Sequence, residues 1–209
     1  MSIIEKLKWR YATKKFDANQ KLSNAKLEIL KEAFNLTALS YGLQTLKLVI
    51  VEDKDVRQSL VDIAYGQRQV VDASHLLVLC IQTEIDGEDV NSHFNTIKEI
   101  RNTPDAILEP FKAEMKSRIK NMHPDKKVGW ASRQAYIALG NLMTVCAIEE
   151  IDSCPMEGFQ PKELDEKLKL DQLGLNSILL LPVGYRDKDD MFAKFKKVRK
   201  QMSETVIEL

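Results

Sequence analysis

The chain runs to 209 residues, 44% hydrophobic and 30% charged, with 31 basic residues balanced by 31 acidic ones for a formal net charge of +0. That length suits a single domain over residues 1–209, and the even balance excludes the broad basic face of a duplex-binding protein, so no nucleic-acid partner is expected. No segment reaches the ~20 apolar residues of a membrane helix, and the basic opening lacks the apolar run of a secretion signal; a cytoplasmic protein with no membrane partner is expected.

Ile3, Ile4 and Leu7 predict a short first helix ending near Arg10. It leads into "KLKWRYATKKF", Lys6 to Phe16, which holds five basic residues and no acid. Ser23 is placed to cap a second helix with Leu27, Leu30, Ala33 and Phe34 on its apolar face. "TALSYGLQ", Thr37 to Gln44, interrupts with small and turn-forming residues. "TLKLVIVE" then reads as a strand, rich in β-branched residues. Asp53 starts a helix expected to run through Val56, Leu60 and Ile63.

"SHLLVLCIQT", Ser74 to Thr83, is a nearly unbroken apolar run, as in a strand buried on both faces. From about 84 to 122 the chain makes a charged helical excursion, broken at Pro104 and with a candidate break at Pro110. In "WASRQAYIALGNLMTVCAIEE" the residues Ala131, Ala135, Ala138, Leu142, Val145 and Cys146 form an apolar stripe. Ile137, Leu139 and Met143 widen it, which predicts a central helix suited to a subunit interface. "IDSCPMEGFQP" follows as a loop, Pro161 to Leu170 as a helix, and "SILLLPVGYRD", Ser177 to Asp187, as a buried strand. "KFKKVRK", Lys194 to Lys200, packs five cations into seven residues, and "ETVIEL" is a candidate last strand. With no repeats or linkers, one α+β domain is the economical arrangement.

Which of these residues could carry chemistry? Arg10 with Lys14, and Lys197 with Arg199, are two basic pairs at opposite ends of the chain. They suit a phosphate clamp, in which Arg supplies a bidentate fork and Lys a point charge, or simply two solvated termini. Spacing alone does not bring them together. Cys80, Cys146 and Cys154 form no Cys-x-x-Cys and have no histidine at metal spacing, so no metal site is expected. Asp72, Ser74 and His75 are neighbours in sequence but do not make a triad pattern. "CPMEGF" combines Pro155, which fixes φ, with Gly158, which relaxes it. Such a loop can present backbone groups to a flat ligand, with Glu157 as its one charged side chain.

Taken together, "RYATKKFD", "DASHLLVLC", "RQAYIALGNLM", "IDSCPMEGF" and "VGYRDKDD…KKVR" resemble the nitroreductase family of FMN-dependent NAD(P)H oxidoreductases, from about Ile3 to the C-terminus. The resemblance implies a three-layer α+β fold with a central, mostly antiparallel sheet flanked by helices. It implies a homodimer with the C-terminal segment exchanged onto the partner, the phosphate clamp closing only when two chains meet. Arg10, Lys197 and Arg199 match the residues that hold the FMN phosphate, with Tyr11 and Ala12 passing beside it. Lys14 and Gln69 match contacts to the polar edge of the ring, with Gly66 and Gln67 nearby. Gln134 matches an amide offered by the core helix, and Pro155, Met156, Glu157 and Gly158 match the loop against the ring. Ser40, Tyr41 and Gly42 fall in a segment that shapes the flavin and substrate pocket; the family's usual Pro and Trp there are replaced by Thr45 and Leu46. The activity implied is hydride uptake from NAD(P)H and reduction of a nitroaromatic, quinone or similar acceptor by a ping-pong mechanism. A flavin, pteridine or enone reductase on the same scaffold, or a flavin-binding protein without turnover, are the alternatives. No catalytic side chain is implied, because the cofactor carries the chemistry.

Overall fold

A computed structural model describes residues 2–209. Helix α1 (Ile3–Trp9) is followed by α2 (Asn24–Asn35), strand β1 (Leu46–Val51), the short helices α3 (Lys54–Ser59) and α4 (Gln69–Asp72), and β2 (His75–Gln82). Then come α5 (Gly87–Arg101), α6 (Asp105–Asn121), α7 (Pro124–Ile148), β3 (Asp152–Ser153), α8 (Pro161–Leu168), β4 (Leu175–Gly184) and a last turn of helix, α9 (Met202–Thr205).

The four strands form one sheet in the order β1-β2-β4-β3, and every pairing is antiparallel. Strand β2 lies at its centre, and its near-unbroken apolar run is explained by burial on both sides. Leu77, Leu79 and Ile81 join the cluster under α7, while Leu76, Val78 and Cys80 join the cluster under α8. A strand's period of two makes that division inevitable. The result is three layers, helix on sheet on helix. The stripe expected on α7 is fully buried at Ala131, Ala135, Ala138, Leu142 and Cys146. Alanine at three of these positions lets the helix lie close to the sheet.

Several boundaries differ from expectation. The helix begun at Asp53, whose carboxylate caps Asp55 N and Val56 N, stops at Ser59 rather than running through Ile63. The chain then unwinds to Tyr65 and Gly66, both left-handed at φ 54° and 75°. Pro110 does not break α6; packing through buried Met115 and Ile119 outweighs one lost backbone bond. Helix α8 ends at Leu168 because Lys169 turns left-handed. The segment expected as a loop contains β3, which is too short for any pattern to show. Val206–Leu209 makes no strand; it lies exposed, with no neighbouring strand to pair with among the described residues.

Candidate functional site

Beyond Trp9 the chain leaves α1 extended, with Arg10 at φ −68° and ψ 145°. Two anchors hold the following residues. On one side Ala12 bridges to Ser153, and Thr13 N donates to Ser153 O at 3.2 Å, so this segment extends the sheet beyond β3. On the other side buried Asp190 accepts from Tyr11 Oη at 2.8 Å, Lys14 N at 2.9 Å and Lys15 N at 3.1 Å. Burial works to raise the Asp190 carboxyl, but these bonds and one from Phe192 N together hold it below the usual carboxylate range. Arg186 adds a third tie: it stacks 4.3 Å from the Trp9 ring and 4.7 Å from the Tyr11 ring, and its Nε donates to buried Asp152 at 2.8 Å.

Asp190 also caps the turn that sends the C-terminal segment back across Arg10. A cavity of about 430 Å³ opens there, lined by Arg10, Tyr11, Ala12, Lys14, Lys197 and Arg199 among others, with no carboxylate on its wall. Lys197 Nζ donates to the carbonyl of Arg10. Burial, and then the Arg199 charge, push the Arg10 guanidinium below its ordinary pKa. Burial again, and then Arg10 and Arg199, do the same to Lys197. Arg10 Nε is buried without a hydrogen-bond partner. Three cations thus face one another with an unfilled donor among them, an arrangement that only an anion relieves. The basic pairs do meet in space. They also meet within one chain, which corrects the expectation that a second chain is needed to close the clamp.

The "CPMEGF" loop continues the edge of the sheet. Cys154 N donates to Pro182 O, and Met156 and Leu180 exchange both backbone bonds, at 2.9 and 3.0 Å. Alternation along an edge strand therefore aims the Pro155 and Glu157 backbones outward. Pro155 has no N–H to offer, and the Glu157 N–H has no protein acceptor among the described residues. Gln67 Nε2 donates to Gly158 O at 2.7 Å, fixing the end of the loop. A Cβ on Gly158 would sit 3.1 Å from that amide. Gln69 is buried at the start of α4. Lys14 lies near enough to Cys154 to oppose the rise that burial imposes on its thiol. The cavity, Lys14, Gln67 and the loop therefore form one continuous strip from the basic end to the sheet edge.

Ser40, Tyr41, Gly42 and Gln134 do not join this strip. Ser40 N donates to Gln134 Oε1 at 2.8 Å. The Tyr41 ring stands 6.4 Å from Trp130 and under the Arg118 guanidinium at 5.4 Å. Gly42, at φ +74°, lies where a Cβ would come within 2.8 Å of His93 Cε1. Two residues further along α7, Tyr136 faces Glu157, whose hydrogen bond raises its pKa. Two helical positions are about 200° apart, so Gln134 and the loop strip occupy opposite sides of α7. Within one chain these are two half-sites.

Ser74 and His75 do meet, Oγ to Nδ1 at 2.9 Å, but both are buried. Ser74 already accepts from Leu22 N, and Asp72 is paired with Arg68. No accessible nucleophile results. Sequence reasoning missed Asp152, Arg186 and Asp190, which position the strip without lining an obvious motif; the "YRDKDD" block contained two of them.

Comparison with known proteins agrees with this geometry. The model of the Nitroreductase family matches residues 7–185. The chain is 32% identical over 201 residues to the Bacillus subtilis (strain 168) protein named "Putative NAD(P)H nitroreductase YfkO", covering 90% of each. In fold it resembles B. subtilis ydfN with a TM-score of 0.88 at 21% identity, over 99% of this chain and 98% of that one. It likewise resembles an Exiguobacterium sibiricum 255-15 protein whose crystal structure is described as "in complex with FMN". That match has a TM-score of 0.85 at 17% identity, over 100% and 98% of the two chains. The α+β fold with its antiparallel four-stranded sheet, the basic strip and the sequence likeness converge: the chain belongs to the nitroreductase family.

Proposed function

We propose that residues 1–209 form one FMN-binding domain of a homodimeric oxidoreductase, which takes hydride from NAD(P)H and reduces a nitroaromatic, quinone or similar acceptor. The observation that carries this is the crowding of Arg10, Lys197 and Arg199 around one acid-free cavity, with Arg10 Nε buried and unpartnered. A phosphate monoester relieves that crowding: it brings about −1.5 to −2 charge at pH 7 and three acceptor oxygens. FMN, when bound, supplies the hydride-accepting and hydride-donating chemistry.

The chain's own residues bind and orient. Arg10, Lys197 and Arg199 hold the phosphate, with Tyr11 and Ala12 beside it. Lys14, Gln67 and Gln69 face the polar edge of the ring. Pro155, Met156, Glu157 and Gly158 present backbone along its face, the outward Glu157 N–H being the donor available there. Donor and acceptor then use the same opening in turn, which is the ping-pong order.

A second chain is needed to complete the pocket. Ser40–Gly42 and Gln134 lie across α7 from the strip, so they serve the partner's flavin rather than their own. Support comes from apolar surface that one chain leaves bare. Helix α1 buries none of its residues, and Ile3 and Ile4 stand 54% and 56% exposed. Tyr136, Ile137 and Ile148 of α7 are exposed too, as are Phe195, Val206 and Ile207 of the tail. Isolated apolar residues on a surface are ordinary, but this many on adjoining elements mark an interface. The test is the visible spectrum of the purified protein before and after anaerobic NADPH or NADH. A yellow flavin that bleaches supports the reading; a colourless sample that takes up no FMN overturns it.

A further inference from the structure

Across α7 from the phosphate cavity lies a second basic cleft, of about 560 Å³, that the binding of a flavin does not use. Its walls come from the end of α6, which carries Arg118, and the first turns of α7, which carry Lys126, Trp130 and Arg133. Lys126, Trp130 and Arg133 are four and three apart, so they form one stripe along the helix. The cleft is well within the roughly 300–1,000 Å³ of small-molecule sites.

Three features distinguish it from an ordinary solvated helix face. None of Arg118, Lys126 and Arg133 has an ion-pair partner among the described residues. Its wall carries a single carboxylate, Asp125, against the three cations. Its aromatic floor is shared with the predicted pocket loop: Trp130 stands 6.4 Å from Tyr41, and Arg118 lies 5.4 Å over the same Tyr41 ring. The cleft therefore begins where Ser40–Gly42 end.

We infer that this cleft receives the adenosine end of the hydride donor, with Arg118, Lys126 and Arg133 taking up the 2′-phosphate and pyrophosphate and Trp130 stacking on the purine, so that the protein selects NADPH over NADH. The inference rests on the oxidoreductase reading above, in which Ser40–Gly42 help complete the partner's flavin pocket, where the nicotinamide must dock. Neutral quinones and nitroaromatics gain nothing from three unpaired cations. A pyrophosphate diester brings one charge per phosphate, and the 2′-phosphate adds about −1.5 to −2 more. Guanidinium groups suit such monoesters because they bind two oxygens at once. An indole face suits purines and cations alike.

The experiment uses the FMN-loaded protein, so that the clamp at Arg10 is already filled. 2′,5′-ADP and 5′-ADP are titrated by calorimetry into wild type, Arg133→Gln and Lys126→Gln, with thermal melts to verify folding. Expected is binding of 2′,5′-ADP at least about tenfold tighter than 5′-ADP, with that margin lost in Arg133→Gln and reduced in Lys126→Gln; a charged hydrogen bond is worth about that much. In steady-state assays kcat/KM for NADPH falls about tenfold or more through KM, while the NADH value changes little. Equal binding of the two nucleotides by wild type, or equal losses for NADPH and NADH in both variants, would overturn the inference. Failure of both NADPH and NADH to bleach the flavin would instead sink the oxidoreductase reading. The calorimetric comparison would still decide whether the cleft discriminates a 2′-phosphate.

Discussion

The Tyr11 hydroxyl donates to Asp190 Oδ2 at 2.8 Å, joining the two ends of the chain across 179 residues. The same carboxylate takes Lys14 N and Lys15 N, so one buried acid sets the backbone on which both halves of the phosphate clamp are mounted. Burial pushes the Tyr11 hydroxyl well above its ordinary range, and the bond to Asp190 adds to this. It therefore stays a donor at any physiological pH. Asp190→Ala would orphan several of these donors, and we expect a loss of about 2–4 kcal/mol in urea unfolding. Asp190→Asn, which keeps shape and one acceptor, should lose less. Because the folded carboxyl titrates below its unfolded value, its contribution is present above pH ~3.9 and fades as pH falls through the folded pKa. Unfolding at pH 7 and pH 3 would check the sign.

Arg199→Ala should weaken FMN binding by about 1.5–3 kcal/mol, the scale of a charged hydrogen bond, as read by quenching of flavin fluorescence. It should also flatten the dependence of the affinity on salt. Wild-type affinity in this variant would show the C-terminal basic pair to be only a solvated tail.

Arg57 is fully buried. Its Nη1 donates to the carbonyls of Val71 at 2.9 Å and Ala73 at 2.6 Å, closing the end of α4. Arg57→Met keeps the volume but abandons those acceptors. We expect a loss of about 2–4 kcal/mol and, since α4 begins with Gln69, a change in flavin affinity as well.

His75 sets a pH dependence of the same sign as Asp190, in a higher pH window. Burial lowers its pKa first; Lys21, Arg57 and Lys31 push the same way against Glu52. The unfolded chain then binds a proton that the folded chain resists, so stability falls as pH drops below about 6.5 until the folded pKa is reached. The slope is at most about 1.4 kcal/mol per pH unit. His93 is lowered too, by burial and then Arg101. His75→Gln should remove part of the slope between pH 7.5 and 5.5, and the double variant with His93→Gln should remove more.

Gly42→Ala meets two separate penalties: φ of +74°, and a Cβ 2.8 Å from His93 Cε1. The first costs about 1–2 kcal/mol. His93→Ala in the same chain should relieve the second and leave the first, which a double-mutant cycle would separate.

Much of the fold was legible because its signals are local. The Ser23 cap, the run from His75 to Gln82 and the alanine stripe of α7 each rest on neighbours in sequence. What failed to show depends on distant partners. Strand β3 exists only because β4 lies beside it, and "ETVIEL" makes no strand because nothing lies beside it. The acids of "YRDKDD" look alike in sequence; only the fold selects Asp190 for burial and leaves Asp189 in solvent. Likewise Arg10 and Lys197 are 187 positions apart, and their meeting follows from topology rather than spacing. Nor does spacing reveal that α7 stands between Arg10 and the pair of Ser40 and Gln134 within one chain.

Pro155 and Pro182 have a consequence for association as well as for shape. The strip that carries the proposed site lies along an open sheet edge, a surface on which a stray strand from another chain could zip itself. Pro155 removes a donor from the outward side of that edge, and the single N–H left free at Glu157 cannot begin a ladder alone. On the inward side Pro182 leaves Cys154 with one bond to β4 instead of two, so the loop is tethered without being absorbed. The edge therefore accommodates a flat ring while being a poor template for aggregation.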